Sequence, residues 1–349
     1  MPKRLAIPIE RRCMPDRKCK KPSEDEKNWN DMPMEIKVMI MDNMDYITRI
    51  RLKQCSKSDK RLVESFPLFV PKIYCSIRTH DSPRSCYHLT YEFILTGFND
   101  DESVLKVKGD KNMVTIDKYG KKRQIRMRSE ENAMKYVEKF FYHILLTKKI
   151  RIGHLETNLK LNESNIPTDH LFHFDSIKLD IYNGNEIIKW LKHVGPKINR
   201  IDTPLHPIKG MGEIPCVLNA KEVFFPASDI NDEQLLKLKA TQVFFTYSKV
   251  TPNGIRKLIR KWVDEDYPIG SHFEIDEMSA HGSLPTIRWM FKGFDYKLER
   301  VRHVRIPVGP HKVMRLSIYG NMVGKIFEKG YKIIERTPKR FAIDCHLFQ

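Results

Sequence analysis

The sequence predicts an α+β protein: a small all-helical unit near the N-terminus, then a mixed α/β region of repeated strand–helix units. Three observations carry this reading. Residues 29–66 show apolar spacing of helical period and no strict alternation. Residues 72–128 break into short alternating runs separated by Gly, Asn and Asp, the mark of an antiparallel meander. From 150 onward, strand-like runs alternate with segments that open on helix-capping residues. At 349 residues, 41% hydrophobic and 30% charged, the chain is long enough to bury a large core in one or two domains.

Taken in order, residues 1–28 are rich in Lys and Arg with little periodicity, and predict a disordered basic tail. Within it, "RKCKKP" at 17–22 has the composition of a nuclear address. The stretch "WNDMPMEIKVMIMDNM" (29–44) predicts a short helix. Pro33 suits its first turn, and no further Gly or Pro interrupts it. On the helical wheel Ile36, Met39 and Ile40 share one side, and Met34, Val38 and Met41 lie nearly opposite. Glu35 and Asp42 occupy one strip between them and Lys37 the other. A surface helix normally hides one stripe and wets the rest. Two stripes predict either a fully buried core helix or a helix covered by its own chain on one side and by a partner on the other.

Asp45 offers the next start signal, followed by Ile47, Ile50, Leu52 and Cys55 along a broad apolar arc. Ser58-Asp59 opens a further short helix carrying Leu62, Val63 and Phe66. Three short helices in about forty residues sit at the size where isolated folding is marginal. After them "YHLTYEFILTG", "SVLKVKG", "NMVTIDKYG" and "KRQIRMR" supply the meander. Ser129 then caps a long helix over 130–146, with Ala133, Val137, Phe140, Phe141 and Ile144 at helical spacing. This gives an expected division into 1–28, 29–70, 71–149 and 150–345.

In the last division "SIKLDIY" (176–182) puts Ile177, Leu179 and Ile181 on one face. A helix over 185–194 follows, with Ile187, Ile188, Leu191 and Val194. "KEVFF" (221–225) precedes a helix at 231–238, and "TQVFFTYS" (241–248) precedes "TPNGIRKLIRKWV" (251–263). There Thr251 is the N-cap, Pro252 takes the first helical position, and Ile255, Leu258, Ile259 and Trp262 form one stripe. Trp262 is therefore expected in the core. Alternation sends Phe244 and Phe245 to opposite faces, while the exposure of Tyr247 stays open. "HFEID" (272–276) is a further strand, and 298–345 reads as several strands, with "GYKIIER" and "RFAID" paired. Such strand–turn–helix units are similar to an irregular leucine-rich-repeat-like stack. Their uneven spacing leaves an ordinary α/β sandwich open as well.

The formal net charge is +18, which raises a nucleic-acid-binding alternative. The cations are spread through "KKRQIRMR", "IRKLIRK", "RVRHVR" and "TPKR", interleaved with core-type residues, as on solvated faces. Binding to DNA or RNA would fall steeply with salt. No apolar run approaches the ~18–20 residues of a membrane span, and the N-terminus has no apolar signal core. Seven cysteines without paired spacing predict reduced thiols in the cytoplasm, the nucleus or both.

Motifs for catalysis or cofactors are missing from the sequence. "GMGEIP" (210–215) lacks the third Gly of a dinucleotide loop and follows no clear strand. There is no GxxxxGK[ST] loop, no CxxC and no GxSxG elbow. His170 and His173 have no second ligand pair at metal spacing, and His143 falls on the apolar side of a helix as a core histidine. The expectation is a non-enzymatic protein with no cofactor, no metal and no catalytic residue.

One resemblance organises these features. Trp29, Met32-Pro33, Glu35, Ile36 and Ile40, followed by Cys55, Ser56, Lys57, Leu62 and Val63, resemble an F-box. Met32 stands where the family more often has Leu, a volume-conserving change. Ser58-Asp59 stands where the family often has Trp. The segment "LLKLKATQVFFTYSKVTPNGIRKLIRKWVDEDYPIGSHFEID" (235–276) is similar to the type-2 F-box-associated domain of nematode F-box proteins. "FEKGYKIIERTPKRFAIDC" resembles the end of such proteins. The resemblance implies a three-helix F-box over 29–70 and a substrate-receptor subunit of a Skp–cullin–F-box ubiquitin ligase. A Skp-type adaptor, and through it a cullin, would bind Trp29, Met32, Pro33, Glu35, Ile36, Val38, Ile40 and Met41. Which stripe of the helix meets the adaptor stays open. The C-terminal region would hold a target protein of unknown identity, with the concave side of the repeat-like region as its docking surface.

Overall fold

The computed structural model describes residues 29–330 apart from 45, 67, 81–87, 97–102, 119, 148–149, 276–286, 301 and 319–320. The expected basic tail, the Asp45 start signal and the "GYKIIER"/"RFAID" pair lie outside the described residues. The chain forms two compact units, Met1–Met44 and Asp45–Gln349.

In the first unit a 3-10 turn, Trp29–Asp31, leads into helix α1, Met34–Asp42. Pro33 sits at the N-cap rather than inside the first turn, and its carbonyl accepts the Lys37 N–H at 3.1 Å. That position suits a proline, because the cap residue has extended backbone and its own N–H has no place in the helix. At the other end the Asn43 side chain donates to the Met39 carbonyl at 2.8 Å.

The second unit begins with two helices, α2 (Tyr46–Cys55) and α3 (Lys57–Ser65). The start of α3 differs from expectation. Ser56 is the cap, its hydroxyl accepting the Asp59 N–H at 3.0 Å, so Ser58 and Asp59 fall inside the first turn. Leu62 is buried, whereas Cys55, expected on the apolar arc, is exposed.

Then come β1 (Leu68–His80), β2 (His88–Thr96), β3 (Ser103–Asp110), β4 (Met113–Lys118) and β5 (Lys121–Arg126), followed by α4 (Glu130–Leu145) and β6 (Ile150–Thr157). Next are β7 (Phe174–Leu179), α5 (Gly184–Lys192), β8 (Arg200–Asp202), α6 (Pro215–Asn219) and β9 (Glu222–Ala227). The chain continues through α7 (Asp232–Lys237), β10 (Gln242–Tyr247), α8 (Pro252–Asp264), β11 (His272–Ile275) and α9 (Ile287–Met290). It ends in β12 (Lys297–Arg300), β13 (His303–Val308), β14 (Lys312–Ile318) and β15 (Met322–Glu328).

The described strands form one mixed sheet in the order β12-β13-β14-β15-β11-β10-β9-β8-β7-β6-β1-β2-β3-β4-β5. Its centre, β6 to β11, is parallel and runs in chain order. An antiparallel meander flanks each side. β1 joins β6 in parallel, and β15 joins β11 antiparallel. The fold is therefore mixed α/β around a large mixed sheet.

Helix starts follow the capping chemistry of the sequence. Ser129 accepts from Asn132, Asn183 from Asn185 and Glu186, and Thr251 from Gly254. Asn231 and Gln234 form a reciprocal capping box, which satisfies two otherwise orphaned N–H groups. Helices α4, α5 and α8 pack against one face of the sheet. Phe141 of α4 meets Trp190 of α5 with ring centroids 6.1 Å apart, and Trp262 of α8 meets Phe273 edge-on at 5.4 Å. Phe225 and Phe245 stack across β9 and β10 at 6.0 Å. Trp190, missed in the sequence reading of α5, is fully buried, and its indole N–H donates to the Leu159 carbonyl at 2.8 Å. His143, expected in the core, is exposed. Tyr142 is buried instead, and its hydroxyl accepts the Asn162 N–H at 2.7 Å.

Candidate functional site

Helix α1 is too short to be stable alone; isolated helices below ~12–15 residues are marginal in water. Yet it presents large apolar groups to solvent. Met34 is 57% exposed, Ile36 43% and Met39 63%. Among the described residues, three of the ten exposed large apolar side chains lie on this one helix. Scattered singly such groups need no explanation; Ile36 and Met39, one turn apart, form an apolar patch.

The cluster has a shape. Ile36, Met39, Ile40 and Asn43 follow i, i+3, i+4, i+7 spacing, and with Met44 they line an open groove of about 430 Å³. Two methionines in such a lining give unbranched side chains that conform to an apolar partner. The Asn43 amide at the end of the groove is tied back to the Met39 carbonyl, so it sets the groove wall while capping the helix.

The residues expected at an adaptor interface divide by exposure. Pro33, Glu35 and Ile36 are exposed, and Trp29, Met32, Val38 and Ile40 are half-buried. Met41 has no exposed surface and so offers nothing to a partner as the chain stands. Trp29 is held over α1, with the Lys37 ammonium 5.8 Å from its ring centroid. Met34 and Met39, the two most exposed apolar groups of the helix, were not among the expected contact residues. Their signal in the sequence was the pair of stripes itself, since each stripe contains one of them.

Elsewhere, Phe245 and Trp262 are buried, Phe244 is half-buried and Tyr247 is exposed. His170 and His173 do not come together with other donors. His170 faces the Leu145 carbonyl, and among the described residues no group of three or more His, Cys, Asp or Glu could hold a metal ion. "GMGEIP" forms a turn, with Gly210 left-handed at φ 81° and Met211–Glu213 in a 3-10 helix. Among the described residues no helix is long and apolar enough to cross a membrane.

Comparison with known proteins adds three findings. Residues 29–71 match the F-box domain, and so include α1 together with α2 and α3. Residues 131–277 match a domain of unknown function, DUF3557; this span encloses 235–276, where the sequence resembles an F-box-associated domain. An uncharacterized F-box protein of Caenorhabditis elegans, T20B12.4, is 25% identical over 268 residues, covering 68% of this chain and 67% of that protein. No solved structure matches.

Proposed function

We propose, from the premise that this chain carries an F-box domain at residues 29–71 and is homologous to a nematode F-box protein, that it is a substrate-receptor subunit of a Skp–cullin–F-box ubiquitin ligase. One observation carries the proposal beyond the match itself. Within the F-box span, α1 exposes Ile36 and Met39, which line an apolar groove. Covering the half of each side chain still in water gains about 1 kcal/mol apiece, and a Skp-type adaptor is the partner an F-box implies. The groove stripe, Ile36-Met39-Ile40, is the side we assign to the adaptor.

The part of the chain that follows the F-box would be the target-binding part. Its parallel strands in chain order, with α5 and α8 returning on the same face, support a leucine-rich-repeat-like reading of 150–275. The chain would do no chemistry itself. It would bring a target near a ubiquitin-charged enzyme held elsewhere in the assembly, turning a bimolecular encounter into an effectively intramolecular one. The test is direct: purified chain and a Skp-type adaptor are mixed at micromolar concentration and resolved by size exclusion. A stable co-eluting complex is expected, and two separate peaks would sink the reading.

A further inference from the structure

Residues that alternate away from α4, α5 and α8 form the other face of the sheet, and its charge is unevenly divided. Near its middle, Lys72 and Lys178 both reach Glu156, at 3.6 and 3.0 Å. Arg200 reaches Asp202 at 3.1 Å and Glu222 at 3.7 Å. That part neutralises itself. Among the described residues, Lys297 and Lys325 at the end made by β12 to β15 are left without such partners. Lys325, Arg315, Arg305 and Lys297 stand directly opposite one another on four neighbouring strands. One carboxylate, Glu299, serves Arg305 and Arg315. Neither Lys297 nor Lys325 has a carboxylate partner among the described residues, and both are exposed.

Like charges directly opposite across strands are destabilising. Four cations so aligned, of which Lys297 and Lys325 have no carboxylate partner among the described residues, cost the sheet stability, and an anionic group lying across them relieves it. At ~4.8 Å between strands the row spans about 14 Å, the reach of four or five extended residues. The row continues in register to His272, whose imidazole is pushed below its usual range by burial and then by the Lys325 ammonium.

We propose that this β12–β15 end of that face docks an acidic extended segment of a partner protein, which under the receptor reading is the ligase target. A nucleic acid fits the face less well. Base stacking needs an open aromatic face, but Phe224 and Phe244 stack on each other at 6.1 Å and the Arg200 guanidinium lies 4.2 Å over Phe224. A continuous polyanion would also run on to Glu222, Glu274 and Asp202, which share that face. A short acidic segment stays on the cationic end.

The experiment measures fluorescence anisotropy of a labelled eight-residue Glu/Asp peptide with the full chain. A single-stranded DNA of equal formal charge is run beside it. Lys297→Glu with Lys325→Glu is compared with Lys121→Glu and Lys122→Glu on the far edge strand β5, a pair with the same change in net charge. Peptide affinity is expected to fall at least tenfold in the first pair and less than twofold in the second. If the first pair melts lower than the parent, Lys297→Gln with Lys325→Gln replaces it, with a smaller loss in the same direction. Equal losses at both places, no peptide binding, or DNA held more tightly than peptide through this row would each overturn the proposal. Adaptor binding reads α1 and not this row, so the two readings fail separately.

Discussion

Asp232, in the first turn of α7, accepts both the backbone N–H of Thr251 at 2.7 Å and its hydroxyl at 2.6 Å. One carboxylate thus fixes the N-cap of α8 to the start of α7. The same hydroxyl accepts the Gly254 N–H at 3.2 Å, so cap, carboxylate and helix entry form one connected network.

Replacing Asp232 with Ala is expected to destabilise the chain by about 1.5–3 kcal/mol, since both lost bonds go to a charged acceptor. Gly254→Ala adds a test of geometry, because a Cβ there would lie 2.1 Å from the Asp232 Oδ1. Crowding of this kind costs about 1–3 kcal/mol. In the Asp232→Ala background the Gly254→Ala cost should shrink, as a double-mutant cycle in urea would read. Additive losses would show that the two positions do not share the contact.

Trp190 offers a second measurement. Trp190→Ala removes the largest fully buried side chain of α5 and is expected to cost about 3–5 kcal/mol. Trp190→Phe keeps most of the volume but leaves the Leu159 carbonyl without its indole donor, a loss of about 1–3 kcal/mol. Urea midpoints for the two variants should therefore fall in that order, and a Phe variant as unstable as the Ala variant would contradict the packing argument.

Two histidines set a pH dependence. Burial, followed by the Lys72 charge, lowers the His154 pKa against the opposing pull of Glu156. Burial and then Lys325 lower that of His272. The unfolded chain binds their protons below about pH 6.5, whereas the folded chain resists until its lower pKa. Stability is therefore full above that pH and falls as pH drops toward the folded values. Chemical denaturation at pH 7.5 and 5.5 should show the loss, and His154→Gln with His272→Gln should reduce it. An unchanged slope in that double variant would assign the acid sensitivity elsewhere.

The adaptor surface makes the fourth prediction. Ile36→Glu with Met39→Glu puts two charges into the groove, and loss of central apolar anchors typically costs at least ~2 kcal/mol at an interface, about thirtyfold in affinity. Both side chains are already exposed, so the thermal transition of the chain should stay where it is. Co-purification of a Skp-type adaptor with this variant, at the parent's yield, would count against the groove as the contact.

Local chemistry made several elements readable in advance. α8 is marked by Thr251, Pro252 and the Ile255-Leu258-Ile259-Trp262 stripe, because capping and helical period are properties of neighbours in sequence. The α4 start at Ser129 and the strands around Phe225, Phe245 and Phe273 are readable for the same reason. The misplacements have a shared cause. Ser56 and Ser58 both have the chemistry of a cap, and only the path of the chain between α2 and α3 decides which one serves. His143 and Tyr142 are one position apart at the edge of an apolar face, and the Asn162 backbone, which only folding brings near, selects Tyr142 for the interior.

The sequence by itself determined where helices and strands begin, which residues share a face, and that α1 carries more apolar surface than one stripe can hide. Tertiary structure alone decided that β1 closes in parallel on β6, joining a meander to the parallel strands in one sheet. It also decided that Met41 is covered while Met34, Ile36 and Met39 are left in water, and that four cations from separate strands align. Periodicity fixes the direction of a side chain relative to its own element. What stands opposite that side chain depends on residues far away in the chain, and no local pattern records them.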